Sequence, residues 1–393
     1  MRYNANTYWL EDTARLKRVP LMLFIIGLAG SGSFAATHPE QFFHSYLTAY
    51  LFWIGPALGG LFFTMIHHLT GSVWSVTVRR IAESLASTIP IMALLFVPIL
   101  LGMHDLFEWS HPEAVADPIL LGKSPFLNPT FFTIRAVIYF AVWSFLAWRL
   151  WTLSDRQDGG ATPEIRSGLL KVSALGMILF ALTISFAAFD WMMSLQPHWY
   201  STIYGVYFAM GSVMSAIAVM ILVTARLQKW GALTEEITAE HRHDLGKIFF
   251  TFIILWAYMA FSQYFLIWYA NLPEETVFYH ARWIGSWKAV SLLIVFGHFV
   301  IPFFALISRP AKRSLVVLPI IAVWMLVMHW VDLYWNVMPG FHKEGAHISP
   351  SDITAMVLIG SLFLGRFWTH LSSRPLIPVG DPKLSDSIHH VSH

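Results

Sequence analysis

The chain has 393 residues, of which 56% are hydrophobic, 16% aromatic and only 12% charged. A soluble domain carries about 25% charged residues, so this composition excludes a soluble fold of that size, and its hydrophobicity excludes a disordered chain. Cysteine is absent and the net charge is +2, which removes disulfides, thiolate iron–sulfur or zinc sites and covalent haem from this chain and leaves no electrostatic case for nucleic acid.

In chain order, residues 1–18 form a polar lead with Arg2, Glu11, Asp12, Arg15, Lys17 and Arg18. The acidic pair and the length of the lead read as a cytoplasmic segment before an internal span rather than as a secretory leader. A spanning helix needs about 20 mostly apolar residues. Ten runs meet that: 19–37, 45–69, 84–103, 130–153, 168–189, 202–227, 247–270, 284–307, 314–337 and 351–371, numbered spans 1 to 10. Span 1 is diluted by Gly27, Gly30 and Gly32, and Pro90 with Pro98 predicts a kink in span 3. Barrel strands would be far shorter and alternating. The fold class is all-α, a polytopic membrane protein with about ten transmembrane helices. The segment 372–393, with Pro375, Pro378 and Pro382, reads as a flexible cytoplasmic tail.

The charges sort by side. With both termini and the 2–3, 4–5, 6–7 and 8–9 connections on one face, that face holds all of the 25 Lys and Arg residues except Lys123, Arg135, Arg282, Lys288 and Lys343. This is a positive-inside pattern and places both termini in the cytoplasm. The outer loops are acidic and histidine-bearing: His104, Asp105, Glu108, His111, Glu113 and Asp117 in loop 3–4, His198 in loop 5–6, Glu274 and Glu275 in loop 7–8.

Ionisable residues within spans are costly and therefore candidates for function. Asp190 ends span 5 on the outer side. His329 and Asp332, three apart in the outer half of span 9, share a helix face. An imidazole beside a carboxylate suits proton handling; the other reading of Asp190 and Asp332 is a structural ion pair with a basic neighbour. Arg135 and Lys288 start spans 4 and 8. His298 lies mid-span and reads either as a hydrogen-bonded core residue or as a midpoint for protons. His67, His68, Arg79 and Glu83 sit at the inner end, where Arg79, Arg80 and Glu83 read either as interfacial anchors or as a proton entry. His298 and His329 alone could face each other across a haem, but the chain offers no second pair at matching depth. No cofactor-binding or metal-ligating set stands out, His104–Asp105 being the one weak candidate.

An internal echo links the halves. Spans 2–5 end in Phe189-Asp190-Trp191, and spans 6–9 end in Val331-Asp332-Leu333-Tyr334-Trp335; the third span of each set starts with one basic residue, Arg135 or Lys288. This predicts two four-helix bundles, each with an acid–base pair near the outer face. The chain then divides into an N-terminal segment (1–18), peripheral span 1 with its loop (19–44), a first bundle (45–200), a second bundle (201–340), peripheral span 10 (341–371) and the tail (372–393).

Three strings carry a resemblance. One runs from Phe189-Asp190-Trp191-Met192-Met193-Ser194-Leu195-Gln196-Pro197-His198 to Trp199-Tyr200-Ser201-Thr202. A second runs from Gln263-Tyr264-Phe265-Leu266-Ile267-Trp268-Tyr269 to Ala270-Asn271-Leu272-Pro273-Glu274-Glu275. The third is His68-Leu69-Thr70-Gly71 with Trp74, Arg79-Arg80 and Glu83. Over nearly its whole length the chain resembles the ActF-type subunits of alternative complex III, a quinol:electron-acceptor oxidoreductase, which are similar to NrfD/polysulfide-reductase membrane subunits. The resemblance implies ten spans in two four-helix bundles and a multi-pass protein of the bacterial inner membrane. It implies no redox cofactor on this chain, with electrons passing through iron–sulfur and haem c centres of partner subunits. The implied partners are a multihaem cytochrome c subunit, an iron–sulfur subunit, a paralogous ActC-type membrane subunit, quinol and lipid. Within such a complex the resemblance implies that the ActC-type paralogue is the better candidate for the main quinol site and that this subunit supplies a proton path and a second or vestigial quinone site, with Asp190, His329 and Asp332 handling protons and His67, His68, Arg79, Glu83, His298, Arg135 and Lys288 along the path.

A rival reading is a secondary transporter or a proton-translocating protein outside a redox complex, since repeats and broken helices are shared. Transport places polar groups near the midplane, whereas here they gather toward the outer third. A lipid-modifying enzyme would need a compact nucleophile or metal cluster that the spacing does not show.

Overall fold

A computed structural model describes residues 2–11 and 13–392; Asp12 of the polar lead lies outside the described residues. Among the described residues the protein is all-α apart from one hairpin, and ten helices are long and apolar enough to cross a membrane: Ala14–Thr37, Pro39–Thr70, Trp74–Leu101, Pro129–Asp158, Pro163–Leu195, Tyr204–Lys229, Ala239–Ala270, Trp287–Leu306, Val317–Gly340 and Pro350–Leu371. The chain is a multi-pass membrane protein. Each of the ten predicted spans overlaps one of these helices. The starts of spans 5, 7 and 10 move outward because the capping residues Thr162, Thr238 and Ser349 extend those helices past the apolar runs, whereas span 8 is shorter than predicted at both ends.

Span 2 is the axis of the bundle. In its most apolar window 83% of residues are buried, against 17% in span 1, which lies at the periphery along span 10. Span 2 packs on spans 5, 6 and 9, and span 6 in turn packs on spans 5, 7 and 9, so the two predicted four-helix sets meet along spans 2 and 6. The approach is close because the facing residues are small: a Cβ added at Gly59 would lie 2.4 Å from the Ser212 carbonyl oxygen.

Span 3 breaks where the sequence predicts a kink. It consists of Arg79–Ala86, Ile89–Leu95 and Val97–Leu101, with Pro90 and Pro98 opening the second and third pieces. At the second break Phe96 and Ile99 bond back to Ala93 and Phe96 rather than four residues back, which frees the carbonyls of Met92 and Leu95. Tyr50 donates to the first at 3.0 Å and Tyr46 to the second at 2.8 Å. Two span-2 tyrosines thus satisfy backbone groups that have no water to turn to.

Two terminal segments differ from expectation. Residues Arg2–Asn4 (β1) and Trp9–Glu11 (β2) pair as an antiparallel hairpin. The tail, described over 372–392, is docked rather than flexible. Leu376 donates its amide to Tyr8 and is buried with Ile377, and a short helix, Leu384–Ile388, follows. Asp381 pairs with Arg79 at 2.6 Å, and His390 and Ser392 both bond Asp244. Its proline content reads as disorder, yet the buried charges Arg79 and Asp244 on the bundle supply partners that composition does not reveal.

Candidate functional site

Near the face opposite the termini, each half holds one buried acid, and their surroundings differ. Asp190, at the end of span 5, is fully buried. Arg135 grips both of its oxygens, Nη2 to Oδ1 at 2.7 Å and Nε to Oδ2 at 2.8 Å, and Tyr139 adds a bond to Oδ2 at 2.7 Å. The guanidinium also donates to the Phe126 carbonyl at 2.8 Å and lies 3.8 Å from the Phe126 ring centroid and 4.4 Å from that of Phe131, two rings set perpendicular to each other. This is a bidentate, hydrogen-bonded ion pair of the kind that survives burial, which favours the structural reading of Asp190.

Asp332, in span 9, has no such partner. Its Oδ1 accepts from the Tyr207 hydroxyl and from Asn336 Nδ2 at 3.3 Å, and Tyr204 completes the chain through Asn336 Oδ1 at 2.8 Å. Lys288, expected to pair with it, is exposed and sits over the Trp283 ring at 5.2 Å. The buried cation of this half is Arg282, which the sequence reading counted but did not single out. It donates to the carbonyls of Phe278, Trp335 and Asn336 and to Gln196 Oε1, at 2.9 to 3.3 Å, and stacks on Phe278 at 3.4 Å. A cation on the last carbonyls of span 9 offsets that helix's C-terminal dipole, and it is occupied there rather than at Asp332.

His298 and His329 join Asp332. One ligating atom from each of the three lies within 4.8 Å of the others, and all three residues are buried. None of the four ring nitrogens has a hydrogen-bond partner among the described residues. His329 and Asp332 share a helix face as predicted, but there is no hydrogen bond between them. His298, about midway along span 8, belongs to the same cluster. It sits in a π-helical turn, Ile294–Val300. Pro302 explains the turn: it lacks an amide for the His298 carbonyl four residues back and its ring crowds that carbonyl, so the helix widens. Trp324 Nε1 takes the Gly297 carbonyl at 2.7 Å, and the His298 ring lies on Trp256 with centroids 3.6 Å apart.

Beside this cluster is a groove of about 920 Å³ between spans 7 and 8, walled by Tyr207, Trp256, Gln263, Tyr279, Arg282 and Trp335. Its size and its aromatic lining with few polar groups suit a small apolar ligand with a polar head. Tyr207 is both part of the groove wall and the donor to Asp332. Tyr264 and Trp268, exposed on the flank of the bundle, form its rim.

At the terminal face, Arg79, Arg80 and Glu83 are buried, at 1%, 2% and 3% exposure, and are not interfacial anchors. Glu83 holds Arg79 and Arg80, each at 3.0 Å, and accepts from Ser154 at 2.7 Å. Arg80 also pairs with Asp158, and Arg79 with Asp381 and Gln157. His67 approaches Arg79 at 3.3 Å and bonds Ser75 at 2.7 Å, while His68 is half-buried beside it. Among the described residues, no chain of side-chain hydrogen bonds joins this network to Asp332. The hydroxyls that lie between, Thr64, Ser212 and Ser215, bond carbonyls of their own helices.

No protein-family model matches the chain, and no curated protein matches it significantly.

Proposed function

We propose that this chain is an integral membrane subunit of an alternative-complex-III-type quinol:electron-acceptor oxidoreductase, with no redox centre of its own. The observation that carries the reading is the aromatic groove of about 920 Å³ whose wall includes Tyr207, hydrogen-bonded to the buried acid Asp332. Oxidising a quinol releases two electrons and two protons. An apolar aromatic cleft holds the ring, and an acceptor behind the cleft wall takes a proton. Tyr207 is placed to pass a proton to Asp332, because its hydroxyl can accept one from a bound quinol while donating its own. The electrons leave to iron–sulfur and haem c centres on partner subunits.

The string Gln263 to Glu275, part of the resemblance, supplies the groove residues Gln263, Tyr264, Ile267, Trp268 and Asn271. The asymmetry of Lys and Arg supports a bacterial inner-membrane protein with both termini in the cytoplasm. In that orientation Asp332 lies in the periplasmic half, and the exposed loop residues His104, Glu108, Glu113 and Glu274 form the docking surface for the cytochrome c and iron–sulfur partners. The network of Arg79, Arg80 and Glu83 with His67 and His68 is the cytoplasmic end of a proton path whose middle is bridged by water.

Purification in mild detergent tests the reading. A multihaem cytochrome c and an iron-containing partner should accompany the chain. A chain that runs alone, with no haem-staining or iron-containing companion, returns the transporter reading.

A further inference from the structure

We infer that His298, His329 and Asp332 form a binding site for a divalent transition-metal ion of the zinc class. Two imidazoles and one carboxylate are the donor set of a three-ligand site that keeps a further position open. The three ligating atoms lie within 4.8 Å of one another; a tetrahedral ion with bonds of about 2.0–2.1 Å needs its ligands roughly 3.4 Å apart, a closure within reach of side-chain rotation.

Buried polar atoms are normally partnered, yet both ring nitrogens of both histidines have no partner among the described residues. Single buried atoms elsewhere, such as Trp191 Nε1 and Trp199 Nε1, also lack a partner, but His298 and His329 are the two histidines that lack one on both buried ring nitrogens among the described residues. The stacking of His298 on Trp256 occupies the ring face and leaves the in-plane lone pairs free. At Asp332, the bonds from Tyr207 and Asn336 both end on Oδ1, so Oδ2 remains for a metal and those two residues orient the carboxylate from behind.

The backbone makes room for the cluster. Gly211 of span 6 stands against it, and a Cβ there would lie 2.9 Å from His329 Cε1, 3.3 Å from His329 Nδ1 and 3.6 Å from Trp256 Cδ1. Any larger residue would push the His329 ring from its place. The π turn in span 8 performs the matching task for His298 by shifting its register within the helix.

Metal binding displaces protons from these ligands, so the metal-loaded chain and the proton-accepting chain are alternative states. The inference is independent of the quinol reading, because metal content is read on resting protein without turnover.

The test is elemental analysis of the detergent-purified protein after incubation with zinc and removal of loosely held ion, with cobalt as a visible reporter. About one tightly held zinc per chain is expected, and cobalt should give tetrahedral-type absorption. His298→Ala and His329→Ala should each lower affinity at least about tenfold. Gly211→Ala, which retains all three ligands, should weaken binding as well, and the exposed-site control His38→Ala should not. X-ray absorption on the zinc-loaded wild type reads the ligands without any variant, and two imidazoles and an oxygen are expected. A wild type that retains no zinc, a zinc shell without imidazole, or His329→Ala retaining as much zinc as the wild type overturns the inference.

Discussion

Asp190 and Asp332 occupy corresponding places in the two halves of the molecule, and their fates differ. Asp190 is held on both oxygens by Arg135 and again by Tyr139. Asp332 receives only neutral donors, and the arginine of its half is turned to backbone carbonyls. A carboxylate satisfied by a fixed cation has little reason to take a proton. One surrounded by a phenol, an amide and two unpartnered imidazoles retains capacity for a proton or a metal. The same placement therefore yields an ion pair in one half and, in the other, a buried acid met by neutral donors.

The comparison can be broken most forcefully at the ion pair. Asp190→Asn leaves Arg135 buried without a carboxylate, which should cost about 3–5 kcal/mol, read as a lowered melting temperature in detergent. The double change Asp190→Leu with Arg135→Met should recover most of that loss; if the double variant is as unstable as the single one, the pair is more than a brace. Asp332→Asn should behave in the opposite way. Quinol oxidation by the assembled complex should fall about 100-fold, or roughly 2.7 kcal/mol of barrier, with a smaller melting shift than Asp190→Asn. Full turnover with intact assembly would make Asp332 structural too.

A third change probes the cation of the second half. Arg282→Ala strands three carbonyls and should destabilise by about 1–3 kcal/mol, whereas Lys288→Ala should stay within about 0.5 kcal/mol of the wild type. A larger effect at Lys288 than at Arg282 would restore the sequence-level pairing. The smallest effect is at the surface. Asp117 accepts from His198 Nε2 at 2.6 Å and from the amides of Ile119 and Leu120, and the His198 bond first, then those amides, hold its carboxyl below the usual carboxylate range. A depressed value in the folded state means that this contact is intact above the ordinary carboxylate pKa of about 3.9 and is lost only as pH falls below it. Protection factors of residues 117–123, corrected for the pH dependence of intrinsic amide exchange, should be unchanged from pH 7 to pH 5 and lower near pH 3; protection already lost at pH 5 would contradict the assignment.

Much of the architecture was legible because the bilayer imposes it. A run of some 20 apolar residues has few alternatives to a helix, so the ten spans, the break at Pro90 and Pro98, and the shared face of His329 and Asp332 follow from composition and period. The pairing of Arg135 with Asp190 followed from the echo between halves, since only one cation and one acid stand at that depth in the first set. The docked tail and the N-terminal hairpin were not legible, because short polar segments acquire their order from partners such as Arg79 and Asp244 that lie elsewhere in the chain.

The sequence by itself determined the class of the protein, its span count and the placement of Arg135, Asp190 and Asp332 within spans, because charge is scarce and a membrane penalises each instance. Tertiary structure alone decided what those charges meet. Lys288 and Arg282 lie six residues apart on the same connection, and only the packing of Phe278 and Trp335 around a guanidinium selects Arg282 for burial. Likewise His298 reaches Asp332 through a π turn and the absence of a side chain at Gly211, two features of three-dimensional fit that no spacing along the chain encodes.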